Sequence, residues 1–498
     1  MKSHGLRNKG ALWMTALSLG LSAVLPVVSV NAASPPTVPK LAWKGTITMG
    51  AWVFTPTAPG QKVAPGTVRQ TALLTLANEF EKMYPGIHIK FLSPNYGNDP
   101  NFIRTEAAAG QLADVWDAQY ADLNSGVIPH GIAVNLAPYF KKSNPYVSGN
   151  KEWGSYMSPL GLAVSQAPNG AYYEINGDYI ATAFYYNKAL FKKAGISKPP
   201  VTWAQLLSDS RILKAHGIDP GAHRPYWSWW SRLFLSNFLG IPTLKQLLSF
   251  QPGNPSITPQ DEVVGYQKGI LNPLKNPRVM AWWPVVKELY QYWDKNVSAV
   301  PVLNAPTSAV TGSTLFNAGK VAMTYSGSWE PGLWVAGKQK PANLGAFNLP
   351  SIANTSRYAT TYDSTTTVGG PSGGFQYSIS TPQADQTMSQ PGKFQAVLDW
   401  LRFMSSPRAD QMVVNQWGVT IPTFKGSHPL PALRSLTSAL SKPWYPVFGF
   451  SDVSVSAHTQ IFKLFQEYIN GFISFASAKQ QYAQIVQQAV QQYSAQNH

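Results

Sequence analysis

The sequence predicts an α/β protein built on doubly wound sheets. Two observations carry this. Residues 46–117 run strand, helix, strand, helix, strand, the order that lays a parallel sheet against covering helices. The chain has 498 residues, 44% of them hydrophobic, which is too long for one small core and suits two or three lobes.

The elements follow in order. Residues 34–44 are rich in Pro and read as a short arm. Thr46 to Met49 alternates as a first strand, and a loop thick in Pro and Gly runs from Thr55 to Gly66. Ala72, Leu73, Leu76, Ala77, Phe80 and Met83 fall on helical spacing, stopped by Pro85-Gly86. Ile87, Ile89 and Phe91 alternate as a strand. Phe102 to Ala109 reads as a helix ended by Gly110, and Asp114-Val115-Trp116 as a short strand. Ser143 to Gly177 reads as loop. Ile180 to Tyr186 is a strand and Lys188 to Ala194 a helix. Thr202-Trp203-Ala204-Gln205 fits a capping box, in which Thr202 caps the helix and Gln205 reaches back to the Thr202 amide. Residues 241–276 read as loop-rich, Val279 to Lys295 as a Trp-studded helix, and Val321 to Thr324 and Phe375 to Ile379 as strands. Phe394 to Met404 and Ile461 to Gln492 read as helices.

The N-terminus carries Lys2, Arg7 and Lys9, an apolar run from Ala11 to Val28, and small residues at 30–33. This is the pattern of a secretion signal over residues 1–33, with Pro26 and the small residues ending the run. A retained anchor is the other reading, since the run approaches the ~20 residues of a span. No cysteine occurs, which excludes disulfides, thiol catalysis and a lipid-modified cysteine.

Only 12% of residues are charged, and aromatics are abundant, with 17 Trp, 23 Tyr and 22 Phe. Without residues 1–33 the 39 basic side chains fall to 36 against 23 acidic ones, a net +13. The basic residues are scattered, with no run longer than Lys141-Lys142 or Lys192-Lys193, so nucleic acid is not the expected partner. Few carboxylates also means that little stability is lost as they protonate, so an acidic habitat is an expectation.

Several segments resemble family 1 extracellular solute-binding proteins, the capture subunits of bacterial ABC sugar importers. Glu79-Phe80-Glu81-Lys82-Met83-Tyr84-Pro85-Gly86-Ile87-His88-Ile89 and Ala107-Ala108-Ala109-Gly110-Gln111-Leu112-Ala113-Asp114-Val115 are similar to two of its motifs, with Ala113 in place of the usual Pro. Tyr185 to Ile196, followed by Pro199-Pro200-Val201-Thr202-Trp203, resembles the first crossover. Phe316-Asn317-Ala318-Gly319-Lys320-Val321-Ala322-Met323, Ser326-Gly327-Ser328-Trp329, and Gly471-Phe472-Ile473-Ser474 with Ala478 resemble three more. Residues 143–180 and 241–276 look like insertions.

The resemblance implies two doubly wound lobes joined by hinge strands, the type II fold of periplasmic binding proteins, with ligand in the cleft between lobes. Lobe 1 is expected to hold residues 34–180 and, on its return, 375–425. Lobe 2 holds 181–374, and 426–498 supply lobe 2 or C-terminal helices. Hinge crossovers are expected near Tyr179 to Phe184 and at Gly373, Gly374 and Phe375, where two glycines permit unusual backbone angles.

Sugars have apolar C–H faces and a rim of hydroxyls, so aromatic rings, carboxylates and amides suit them. The resemblance places Trp329 at the family's stacking position. Trp52 follows the first strand, and Trp116, Asp117, Gln119 and Tyr120 follow or end the 114–116 strand. Tyr226 and Trp227 lie in a segment resembling one that supplies a stacking aromatic. The competing reading of each aromatic is core packing, and of Asp117 a helix cap or turn. Trp229, Trp230, Trp282, Trp283 and Trp293 are assigned to packing, and Trp417 and Trp444 remain weaker contact candidates.

A binding protein rather than an enzyme is therefore expected. The eight His show no metal-ligand spacing. Gly370-Pro371-Ser372-Gly373-Gly374 matches Gly-x-Ser-x-Gly but lacks the strand before and the helix after that a nucleophile elbow needs. Gly332 to Lys338 spaces like a P-loop, but Gln339 stands where Ser or Thr would hold magnesium. No metal, calcium site or cofactor is implied. The expected partners are a carbohydrate and the membrane permease of an ABC transporter, with the protein exported, monomeric and untethered by cysteine. Two alternatives stay open: a charged solute (phosphosugar, uronate or polyamine) on the same fold, or a secreted carbohydrate-active enzyme.

Overall fold

A computed structural model describes residues 38–63, 68–93, 96, 100–117, 131–167, 170–223, 228–248, 257–295, 311–352, 369–370, 373–431, 433, 434, 436 and 453–496. The N-terminal signal pattern lies outside the described residues.

The strands are β1 (Gly45–Gly50), β2 (Ile87–Phe91), β3 (Val115–Asp117), β4 (Ile175–Asn176), β5 (Asp178–Asn187), β6 (Asp219–Gly221), β7 (Val321–Gly327), β8 (Leu344–Phe347), β9 (Gly369–Gly370), β10 (Gln376–Ile379) and β11 (Ile421–Pro422). The helices are α1 (Ala72–Met83), α2 (Pro100–Ala108), α3 (Ala137–Phe140), α4 (Pro159–Ser165), α5 (Lys188–Lys193), α6 (Trp203–Ala215), α7 (Ser228–Leu239), α8 (Ile241–Leu248), α9 (Pro259–Gln267), α10 (Trp282–Leu289), α11 (Gly312–Asn317), α12 (Glu330–Ala336), α13 (Lys393–Met404), α14 (Pro407–Trp417), α15 (Val455–Ile469) and α16 (Phe475–Gln496).

Two sheets organise these elements. The first runs β2-β1-β3-β10-β4, with β1, β2 and β3 parallel and β10 antiparallel to both neighbours. The second runs β11-β5-β7-β6, and β8 and β9 also pair with β5. All ten residues of β5 are buried, as expected of a strand covered on both faces. Each sheet has its own core. Around the first, Phe80, Trp400, Phe375 and Ile47 pack together; around the second, Trp283, Trp230, Phe184 and Phe465.

The expected pattern of strands and helices from residue 45 to 117 is present. The α6 capping box is also present, with Thr202 Oγ1 accepting from Gln205 N–H at 3.2 Å and Gln205 Oε1 accepting from Thr202 N–H at 3.1 Å. Four expectations need correction. Residues 241–276 contain α8 and α9 rather than mainly loop. Prolines open both helices: Pro242 is the second residue of α8, just after Gly240 at φ +78, and Pro259 is the first residue of α9 behind a Thr258–Asp261 capping box. The 143–177 stretch likewise holds α4 and β4. The helix expected over 279–295 shrinks to α10, because Asp294 leaves it to donate its N–H to Gly221 O at 2.8 Å beside β6. The C-terminal helix is two helices. Gly471 at φ +82 turns the chain, and Phe472 N–H donates back to Glu467 O at 2.9 Å.

Asp114 shows how the first sheet is locked. Its Oδ2 accepts Thr48 N–H at 2.8 Å and Thr48 Oγ1–H at 2.9 Å, and its Oδ1 pairs with Lys393 Nζ at 2.6 Å. Both charges are buried, so strand β1, the start of β3 and the first turn of α13 are held by one ion pair.

Candidate functional site

The C-terminal ends of parallel strands are where open α/β sheets present ligand groups. In the second sheet β6 and β7 run parallel and end at Gly221 and Gly327. Two residues past β7, Trp329 stands as the N-cap of α12, half-buried. Its ring lies against Gly327, where any Cβ would overlap it. The first turn of α7, which follows β6, brings Trp229 beside it: the ring centroids are 5.7 Å apart at 54°. Trp229, expected to pack, does so: it is partly buried against the second core, and the same ring also meets Trp329.

Trp329 is braced on both sides. Ser328 donates its hydroxyl to Val419 O. Glu330, fully buried, accepts from the Ser313 hydroxyl and from Asn317 Nδ2, the latter at 3.1 Å. Burial pushes the Glu330 carboxyl up, against the hydrogen bonds from Ser313, Ser326 and Asn317. Trp329 Nε1–H is itself buried and finds no acceptor among the described residues. A buried donor without a partner is costly, and the Nε1–H groups of Trp203, Trp230 and Trp400 in the two cores share that condition among the described residues.

In the first sheet, Trp52 follows β1 in a three-residue turn with φ +41, a left-handed conformation rare for a bulky residue. It is half-buried and lies beside Gly374, whose Cβ would stand 3.4 Å from the Trp52 ring and 2.6 Å from Val53. Gly374 takes φ +136, so both its backbone and its surroundings require glycine. Phe375 is buried with its ring 5.9 Å from Phe54, in a cluster that also receives Trp417 at 5.1 Å from Phe54.

Trp116 and Asp117 are placed differently. Both are fully buried. The Trp116 ring belongs to a cluster with Ile103 and Leu112 and donates Nε1–H to Ser380 Oγ at 3.0 Å, so it serves as packing in this form. Asp117 sits opposite Tyr377 on β10. Gln119, Tyr120, Tyr226 and Trp227 lie outside the described residues, as does Trp444.

A groove lined by Arg408, Gln411, Met412, Asn415 and Gln416 runs along α14 and holds none of these aromatics. There Gln416 caps α1, its Oε1 accepting the N–H groups of Thr71 and Ala72 at 2.6 and 2.7 Å. Among the described residues no cluster of three or more His, Asp or Glu could hold a metal, and no helix is long and apolar enough to cross a membrane.

The profile of the bacterial extracellular solute-binding protein family matches residues 64–411, well over half of the 498. The chain belongs to that family. Among curated relatives, this solute-binding protein is 31% identical over 116 residues to the sn-glycerol-3-phosphate-binding periplasmic protein UgpB of Brucella abortus, a match covering 22% of the chain and 26% of UgpB. The chain thus spans about a quarter of that relative's length. Among solved structures it resembles the GacH receptor of Streptomyces glaucescens, with a TM-score of 0.60, 16% identity, and 90% of this chain and 99% of that one covered. It also resembles a chitin oligosaccharide binding protein, at 0.59 and 19%, with 90% and 99% covered. These likenesses show the two-sheet type II fold.

Proposed function

We propose that this solute-binding protein captures a carbohydrate, of oligosaccharide size, in a cleft between two lobes and delivers it to the permease of an ABC importer. The observation that carries the reading is the Trp229–Trp329 pair. Two partly exposed indoles from different elements meet at the end of β7, and the Nε1–H of Trp329 finds no acceptor among the described residues. Such a surface covers the apolar face of a sugar and offers a donor to one hydroxyl. Trp52 supplies an aromatic from the other sheet. The likeness to receptors solved with acarbose, or named for chitin oligosaccharide, supports the same class.

Lobe 1 then comprises residues 34–180 and 375–425, and lobe 2 residues 181–374 with 426–498. Gly373, Gly374 and Phe375 lie in a crossover. Asp117, Gln119, Tyr120, Tyr226 and Trp227 complete the cleft, while Trp116 supports it from the interior. The protein works outside the cytoplasm as a monomer, without cofactor, metal or nucleic acid, and performs no chemistry on its solute.

The partial match to UgpB favours a second reading, a phosphorylated solute. The capping of α1 weighs against it. A helix N-terminus in the first βα unit is a ready anion site, and at α1 Gln416 already takes two of its four free N–H groups, those of Thr71 and Ala72.

A thermal-shift screen of the mature chain decides between them. Neutral oligosaccharides, uronates, sn-glycerol 3-phosphate and polyamines are each tested. Solute at a hundred times its Kd stabilises the folded state by about 2.7 kcal/mol and raises Tm. A shift confined to one neutral series, lost in Trp329→Ala, supports oligosaccharide capture. A shift with the phosphate ester alone replaces it by the second reading.

A further inference from the structure

Three passages of chain between the two sheets converge on one carboxylate. Asp178 opens β5, immediately after the 175–176 strand of the first sheet. Its Oδ1 accepts from Gly373 N–H at 3.1 Å, Phe375 N–H at 3.1 Å and Gln376 Nε2–H at 2.9 Å. All three donors belong to the segment returning to the first sheet. Its backbone pairs with Pro422 on β11, the third passage. Its Oδ2 lies so close to Gly373 that a Cβ there would overlap it. At Gly177 a Cβ would stand 2.5 Å from the Phe375 ring and 3.0 Å from Asp410 Oδ1.

The charges around this knot are of one sign. From α14, Asp410 is fully buried and accepts Phe424 N–H at 3.1 Å. From β10, the Tyr377 phenol is close enough to feel Asp178. Gln376 and Thr420 are neutral. Among the described residues no Lys, Arg or His forms an ion pair with either carboxylate.

We propose that Asp178 sets the balance between the open and closed arrangements of the two lobes, and that its protonation shifts that balance. This rests on the two-lobed, hinged reading above. Rotation about a hinge is absorbed by backbone angles at a few residues, and here the candidates, 177 and 373–375, are those that Asp178 ties together. An ionised carboxylate holds N–H donors more strongly than a neutral acid does. In the arrangement seen here burial outweighs those bonds, so the neutral acid is favoured; an arrangement that lets water reach Asp178 favours the ionised form, and proton uptake shifts the balance toward the arrangement seen here. Burial pushes Asp178 up to about 6, against the hydrogen bonds from Phe375, Thr420, Gln376 and Gly373, which puts the change in a range where the protein can be studied folded.

The absence of cysteine allows a direct test on the full mature chain. Cysteines introduced at the exposed Asn78 and Ser477 take spin labels, one on α1 and one on α16. Distance distributions are recorded without solute at pH 4.5 and 7.5, in wild type and Asp178→Asn. The expected result is a shift in the wild-type distribution between the two pH values, and one unchanging distribution in Asp178→Asn. Identical wild-type distributions, or an undiminished shift in the variant, overturn the proposal. Should Asp178→Asn not fold, Gln376→Met removes one donor and keeps the carboxylate. The midpoint of the pH change must then move to higher pH, and an unmoved midpoint overturns the role of Asp178. The labels report lobe movement with no solute present, so this outcome is independent of whether any sugar raises Tm in the solute screen.

Discussion

The indole rings of Trp229 and Trp329 meet at 5.7 Å and 54° at the mouth of the second sheet, although one hundred positions separate them in sequence. Neither ring is sealed in the core, and the brace around Trp329 is polar on both sides.

If this pair is the stacking surface, truncating either ring removes most of the affinity and little of the stability. Trp329→Ala is expected to weaken the solute found in the screen by about 2 kcal/mol or more, roughly 30-fold, the range of an interface hot spot. Isothermal titration reads the affinity and thermal melting without solute reads the fold. A large fall in the solute-free Tm with intact affinity would return both residues to packing.

Gly327 tests the same surface from beneath. A methyl group there overlaps the Trp329 ring, so Gly327→Ala must push the indole off its seat. The expected outcome is weaker solute binding with Trp329 still present, accompanied by a change in tryptophan fluorescence. Unaltered binding shows that the ring's position is immaterial to capture.

Stability is expected to rise on mild acidification. Asp178 and Asp114 are each pushed up to about 6, chiefly by burial, and Glu330, Asp399 and Asp410 move in the same direction for the same reason. A carboxyl whose pKa is higher folded than unfolded binds more protons in the native state, so its contribution is present at low pH and lost as pH rises. For Asp178 and Asp114 that loss runs from the ordinary value of 3.8 to about 6. Tm measured in constant ionic strength should therefore be higher at pH 5 than at pH 7.5; a curve falling steadily below pH 7 contradicts the assignment.

The Asp114–Lys393 pair gives a purely structural prediction. Lys393→Met leaves Asp114 buried opposite Asp385 with no cation, and removing one partner of a buried pair typically costs about 3–5 kcal/mol. Chemical denaturation at pH 7.5 reads the loss, which should shrink at pH 5 as Asp114 takes a proton. Equal losses at both pH values would mean that the lysine acts through packing alone.

Much of the fold was legible because its signals are local. The α1 stripe from Ala72 to Phe80, the alternation in β1 and β2, and the Thr202–Gln205 box each act within a few residues, where side-chain spacing and capping bonds decide the outcome. The family motifs around 79–89, 107–115 and 316–329 are equally local, and they carried the fold class. Gly and Pro misled at 241–276 because the same residues that break helices also begin and end them.

The site was legible only in part. Sequence alone marked Trp329, Trp52 and the glycines before Phe375, since each adjoins a strand end or carries a backbone requirement. It could not separate Trp116, sealed against Ser380, from Trp229, left half-exposed beside Trp329, because burial is decided by which distant elements close over a side chain. Nor could it show that Asp178 gathers the N–H groups of residues 373 and 375, nearly two hundred positions away. Composition, periodicity and capping belong to the chain itself; the partners of a buried ring or carboxylate exist only once the sheets have assembled.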